Sequence, residues 1–140
     1  AFSGEFPIFR ALEVEILPLK IRALTIGGSD LTFSARFSNP NGFEFVVNSL
    51  SYAIKIGGRE VSDGRISGNK NIAAGAERVF EIPLLLSFFE VGKEMYALLQ
   101  QDEANCSISG ELEIETASEI LTIPFDASKR VSIEKTERTF

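Results

Sequence analysis

Histidine and tryptophan are absent from this 140-residue chain, and cysteine and methionine occur once each. Without histidine there is no Ser-His-Asp or Cys-His catalysis, none of the usual zinc sites, and no side chain that ordinarily trades a proton near neutral pH. Without tryptophan the chain lacks a favoured interface anchor. A single cysteine, Cys106, cannot close an internal disulfide, so thiol content does not fix the compartment. Positive charge is scarce, with 14 Lys and Arg against 20 Asp and Glu, a net charge of −6 and a pI near 4.8. Nucleic acid requires a concentrated positive field, so it is excluded as a partner. The same charge favours solubility and mild repulsion from anionic membranes. Long apolar runs are missing too. The longest, residues 82–89, is interrupted by Pro83 and Ser87 and falls well short of the ~20 residues of a membrane helix. The chain starts at Ala1 rather than Met. That start implies a removed upstream segment, and a signal peptide, a lipoprotein anchor or a cloning boundary would each leave it.

What is present is a folding composition. A 44% hydrophobic and 24% charged chain is ordinary for a globular protein and wrong for a disordered one. Its length suits one domain over residues 1–140 with a core from about 8 to 134. The most informative stretch is residues 30–58. Leu31, Phe33, Ala35 and Phe37 alternate with Thr32, Ser34, Arg36 and Ser38, the period of two of a half-buried strand. Asn39-Pro40-Asn41-Gly42 then reads as a corner: Pro40 has no N–H for a ladder, and both Asn side chains can bond nearby backbone. Leu50, Tyr52, Ile54 and Ile56 form a second alternation, closed by the turn pair Gly57-Gly58.

A strand ending in Asn39-Pro40-Asn41, then Leu50-Ser51-Tyr52 leading to Ile54, Ile56 and Gly57-Gly58, then Ser62-Asp63-Gly64, resembles the type 2 late embryogenesis abundant family, also called the WHy (water stress and hypersensitive response) domain. The strand from Pro83 and the later Ile123-Pro124-Phe125 add to the resemblance, which spans about residues 12–133. It implies a fibronectin-type-III-like antiparallel two-sheet sandwich with a single helix. It also implies a non-enzymatic, desiccation-related role and makes Asn39, Pro40 and Asn41 the family motif, assigned here to structure.

The remaining chain reads as an all-β fold with one helix. Leu12, Val14 and Ile16, then Leu19, Ile21 and Ala23, predict a first strand bent or split at Pro18. Residues 59–66 predict a short strand interrupted at Asp63-Gly64, and 67–75 a loop. Phe80, Ile82 and Leu84, with Val79 and the leucine run, predict a strand covered on both faces. Phe88, Val91, Met95 and Leu98 predict one helix over 88–101. Cys106, Ile108, Gly110, Leu112 and Ile114 predict an inward face on a strand over 105–116. Leu121, Ile123 and Phe125 predict its partner, residues 130–134 a last strand, and 134–138 a frayed end. About seven short strands plus a helix point to two antiparallel sheets packed face to face.

Candidate chemistry is thin. Glu111, Glu113 and Glu115 line one strand face about 7 Å apart; calcium needs six to eight oxygens converging from several directions, so the ladder reads as a wet face that deters edge pairing. Glu13 and Glu15 lack the cleft of a glycosidase pair. Cys106 falls on an inward face with no His or Lys nearby in sequence to activate it. Gly27-Gly28, Gly57-Gly58 and Asp63-Gly64 lack the spacing of a phosphate loop and read as turns. No catalytic residue, cofactor, metal or small-molecule substrate is therefore expected. Phe2, Phe6, Phe9, Phe43, Phe45 and Phe140 fall outside the clean inward sets, and two or three exposed together would mark a binding patch. The expected protein is a monomer that contacts client proteins or a membrane surface under stress; the alternative is an envelope-tethered module that binds a protein or lipid through a sandwich edge or apolar patch. Its expected place is outside the cytoplasm, as a lipid-anchored envelope protein whose signal has been removed, with a cytoplasmic protein as the alternative.

Overall fold

The computed structural model of the chain describes residues 12–117 and 119–135. The alternating stretches become strands β1 (Glu13–Ile16), β2 (Leu19–Leu24), β3 (Gly28–Ser38), β4 (Phe45–Ile56), β5 (Arg59–Ile72), β6 (Glu77–Ser87), β7 (Glu103–Glu115) and β8 (Ile120–Lys135). Two short helices, α1 (Phe88–Val91) and α2 (Glu94–Leu99), lie between β6 and β7. The strands share one mixed sheet in the order β1-β3-β2-β8-β7-β4-β5, with β6 on the free side of β3. β1 and β2 are two halves of one strand laid along β3 and split at Leu17-Pro18, because Pro18 cannot donate to the ladder.

The pairing is not antiparallel throughout. Leu19, Lys20 and Ile21 run parallel to Ile133, Glu134 and Lys135. Residues 120–135 form one 16-residue strand rather than two, long enough to run past the last β7 pair, Glu103 with Ser132, and reach β2. Glu134 is therefore paired, not frayed; residues 136–138 lie outside the described residues. β8 thereby joins a β1-β2-β3-β6 half to a β4-β5-β7 half. The Phe37 ring of β3 stands edge-on to Phe80 of the neighbouring β6 and to Phe125 of the joining strand β8, each at a centroid distance of 5.2 Å.

Four further expectations change for local reasons. Phe45 is fully buried with Val47, because a bulge between Val47 and Ser49 shifts the inward set from odd to even positions before Leu50. β5 passes through Asp63-Gly64 and on to Ile72 without a break. It is an edge strand, paired to β4 alone, where glycine and polar side chains cost little because one side is open to water. One face of β6 is open to water, so its outward Val79 and Leu85 are exposed rather than covered. The expected helix over 88–101 is two helices, broken at Gly92, whose φ of 105° ends α1. Phe88, Met95 and Leu99 pack inward from them.

Gly110 shows why sheet contacts admit no side chain at one point. A Cβ there would lie 1.8 Å from the Ser51 carbonyl oxygen on β4. Cys106, Ile108, Leu112 and Ile114 of the same strand are buried as expected.

Candidate functional site

The ends of β3 hold the two places where polar chemistry or exposed apolar surface concentrates. They stand about 33 Å apart, ten residue steps of an extended chain.

At the C-terminal end of β3, Asn39 and Asn41 are buried, at 1% and 4% exposure. The Asn39 side-chain amide donates to the carbonyls of Phe43 (2.9 Å), Ile72 (3.2 Å) and Ala73 (3.2 Å). Its side-chain oxygen accepts from the backbone N–H of Asn41 (2.9 Å) and from Asn41 Nδ2 (3.0 Å). The Asn39 backbone donates to Ala76 and accepts from Gly75. One residue thus ties the start of β4, the end of β5 and the β5–β6 turn to the end of β3. Pro40 is half-buried between the two asparagines. The polar groups of Asn39 are turned onto this chain's own backbone rather than outward.

At the N-terminal end, Thr25 and Gly28 exchange backbone hydrogen bonds of 2.9 and 3.3 Å, closing a hairpin with Ile26-Gly27 at its tip. The Phe88 N–H bonds to Gly27 O at 3.0 Å, which sets the start of α1 beside that tip. Ile26 is 81% exposed and Phe89 is 95% exposed. Both line a hollow of about 580 Å3 together with Phe88, Gly92, Lys93 and Glu94. Leu85, 84% exposed, precedes Phe89 on the outward side of β6. Of the phenylalanines that stood outside the inward sets, Phe43 is half-buried and Phe45 buried; Phe2, Phe6, Phe9 and Phe140 lie outside the described residues. The exposed ring is Phe89, which sequence reasoning missed. The signal was in the run Leu84-Leu85-Leu86-Ser87-Phe88-Phe89: neighbours on a strand point to opposite faces, so consecutive apolar residues cannot all be buried where one face is open to water.

The remaining candidates do not assemble into a site. Glu111, Glu113 and Glu115 face Ser51, Ser49 and Val46 on β4 and Pro124, Thr122 and Ile120 on β8; Asn48 Nδ2 donates to Glu115 at 3.3 Å. Among the described residues no group of three metal-ligating side chains converges, and no helix is long and apolar enough to cross a membrane. Burial pushes the Cys106 thiol up to about 12, so it stays protonated and unreactive near neutral pH.

Glu15 has a structural connection instead. It pairs with Lys129 of β8 at 3.0 Å and Arg36 of β3 at 2.6 Å, and Arg36 also reaches Glu77 of β6 at 3.4 Å. The hydrogen bond from Lys129, then its charge and that of Arg36, hold the Glu15 carboxyl below its ordinary 4.5. A depressed folded-state value contributes stability that is present above 4.5 and lost as pH falls through the folded value. The contribution is small because the group is exposed. Glu15→Gln is therefore expected to lower the urea midpoint slightly at pH 6, with the difference from wild type closing below pH 4.5. A difference that persists unchanged at acid pH would remove the network from the stability of the fold.

A family model described as Late embryogenesis abundant protein matches residues 34–129. No curated protein sequence matches the chain. Among solved structures, that of an Arabidopsis thaliana protein covers 99% of this chain and 92% of its own at 14% identity, with a TM-score of 0.65. A solution structure assigned to the late embryogenesis abundant (LEA) proteins covers 90% and 73% at 16% identity, with a TM-score of 0.54. The ApaA protein of Bordetella pertussis covers 91% and 96% at 13% identity, with a TM-score of 0.53. At these identities the structural likenesses bear on the fold alone.

Proposed function

The chain belongs to the late embryogenesis abundant family, and from that premise we propose that it is a stress-response protein acting without catalysis, by surface contact with other macromolecules as water is withdrawn. Within the family we read it as a type 2, WHy-like member and its two facing half-sheets as a fibronectin-type-III-like sandwich, held at one corner by Asn39, Pro40 and Asn41. The observation that carries the functional reading is the outward face of β7 and its neighbours, where Ser107, Ser109, Glu111, Glu113 and Glu115 offer polar groups over a buried core. A folded acidic protein with such a face keeps unfolding clients apart and supplies polar groups as water leaves. The effect requires no pocket, and it is broad and stoichiometric.

Drying or freeze-thawing a labile enzyme with this protein is the test, against equal masses of serum albumin and of an unrelated acidic β-sandwich of similar size. The expected result is protection that exceeds both, saturates near equimolar ratios, and survives single substitutions on the outward strand faces. Protection no better than the controls would overturn the reading. A second reading, an envelope-tethered module that binds a partner through an apolar patch, is favoured by one observation, the exposed pair Ile26 and Phe89.

A further inference from the structure

We propose that the end of the molecule formed by the Thr25–Gly28 hairpin and the start of α1 docks on the surface of a zwitterionic phospholipid bilayer, with Ile26 and Phe89 entering the interface. This rests on the second reading above, that the patch is a contact surface, and names its partner.

Three observations converge on a bilayer. The first is the absence of charge. Residues 23–29 and 82–89 carry none, and the pairings of Gly28 with Ser87 and Ser29 with Leu86 bring the two stretches together at one end of the molecule. The second is shape. Ile26 sits at the tip of a two-residue hairpin and Phe89 on the first turn of a helix, 81% and 95% exposed, so both project from the end of the sheet. Projecting aromatic and aliphatic side chains suit the boundary between headgroups and acyl chains. The hollow that both line, about 580 Å3, has the size of a single-ligand cleft. The third is the local charge balance. Lys93 and Glu94 line the hollow, Arg59 and Glu94 crowd Gly92, and Glu90 follows Phe89. One cation and one anion, Lys93 and Glu94, thus line the hollow, while the whole chain carries −6. A phosphocholine surface, which carries both signs and no net charge, matches that pair; an anionic surface repels the rest of the protein.

Other occupants fit less well. A second copy would bury about 500 Å2 per partner from three side chains, short of the roughly 800 Å2 per partner of a stable interface. A client strand added to the β6 edge would meet Pro83, which has no N–H for the new ladder.

The native chain has no tryptophan, so Phe89→Trp makes a single-tryptophan reporter of the tip. Val79→Trp places the same probe toward the opposite end of β6, where Val79 is 44% exposed. Both variants should melt like wild type. With phosphatidylcholine vesicles, the emission of the Phe89 reporter is expected to shift blue and to be quenched by brominated lipid, with the Val79 reporter unchanged. Doping the vesicles with phosphatidylglycerol should weaken the shift at low salt. In the Phe89→Trp background, Ile26→Ser should cut vesicle partitioning about ten- to a hundredfold with an unchanged melt. No shift at saturating vesicles, equal shifts at both probes, or tighter binding to the anionic vesicles each overturns the proposal. Titrating the Phe89 reporter with a heat-unfolded client separates the two levels. A response to client but not to vesicles overturns the lipid and leaves the contact surface standing. Silence to both overturns the contact surface as well.

Discussion

Phe37→Ala is expected to destabilise the protein by about 3–5 kcal/mol, read as a large drop in the urea midpoint with an unchanged slope. The ring is fully buried and stands edge-on to Phe80 of β6 and to Phe125 of the joining strand β8. Removing it opens a cavity between β3, β6 and β8 and ends two aromatic contacts, each contributing about 0.5–1.5 kcal/mol beyond the area buried. Domains of this size are stable by about 5–15 kcal/mol, so the variant should lie close to unfolding at physiological temperature. Phe89→Ala is the matched control: the same residue and the same truncation, but 95% exposed, with an expected change within about 0.5 kcal/mol. Similar effects at the two positions would show that Phe37 is not packed between β6 and β8 as described.

The second large effect is expected at the corner. Asn39→Ala with Asn41→Ala should lower stability by about 2–4 kcal/mol, because the carbonyls of Phe43, Ile72 and Ala73 lose their shared donor, that of Ile72 in a buried place. Asn39→Asp separates hydrogen bonding from volume. It preserves the shape but, when ionised, aims an acceptor at three carbonyls, so it should be at least as damaging near neutral pH and partly recover in acid as the carboxyl gains a proton. Chemical denaturation of both variants, in parallel with the drying assay, decides the role of the motif. An unchanged midpoint with lost client protection would move Asn39 and Asn41 from structure into function.

Much of the fold was legible because the side chains of a strand obey a period of two wherever one face is buried. Leu31 to Phe37 and Cys106 to Ile114 meet that condition and were readable residue by residue. Pro18 announced its split through a missing N–H. Phe45 was not readable, because the bulge between Val47 and Ser49 changes the phase of β4 without a sequence signature strong enough to mark it. β5 was misread as strand and loop because its polar residues belong to an edge, and edge status is a property of the neighbours. The apolar tip was hidden for the same reason. Leu85 and Phe89 look like core until the outward face of β6 and the start of α1 are seen to have nothing packed over them.

From the sequence alone came the class of the protein: a chain with no histidine, an acidic balance, alternating apolar residues and an Asn-Pro-Asn corner folds mainly as strands and has no histidine-based catalysis. These are properties of local covalent chemistry, of composition and of spacing along one strand. The tertiary structure alone decided which strands are edges, that β8 joins the two halves through a parallel pairing with β2, that the corner asparagines spend their hydrogen bonds inward, and that Ile26 and Phe89 share one exposed end. Each depends on which residues far apart in the chain come to be neighbours, and burial and hydrogen-bond partnership are settled by those neighbours.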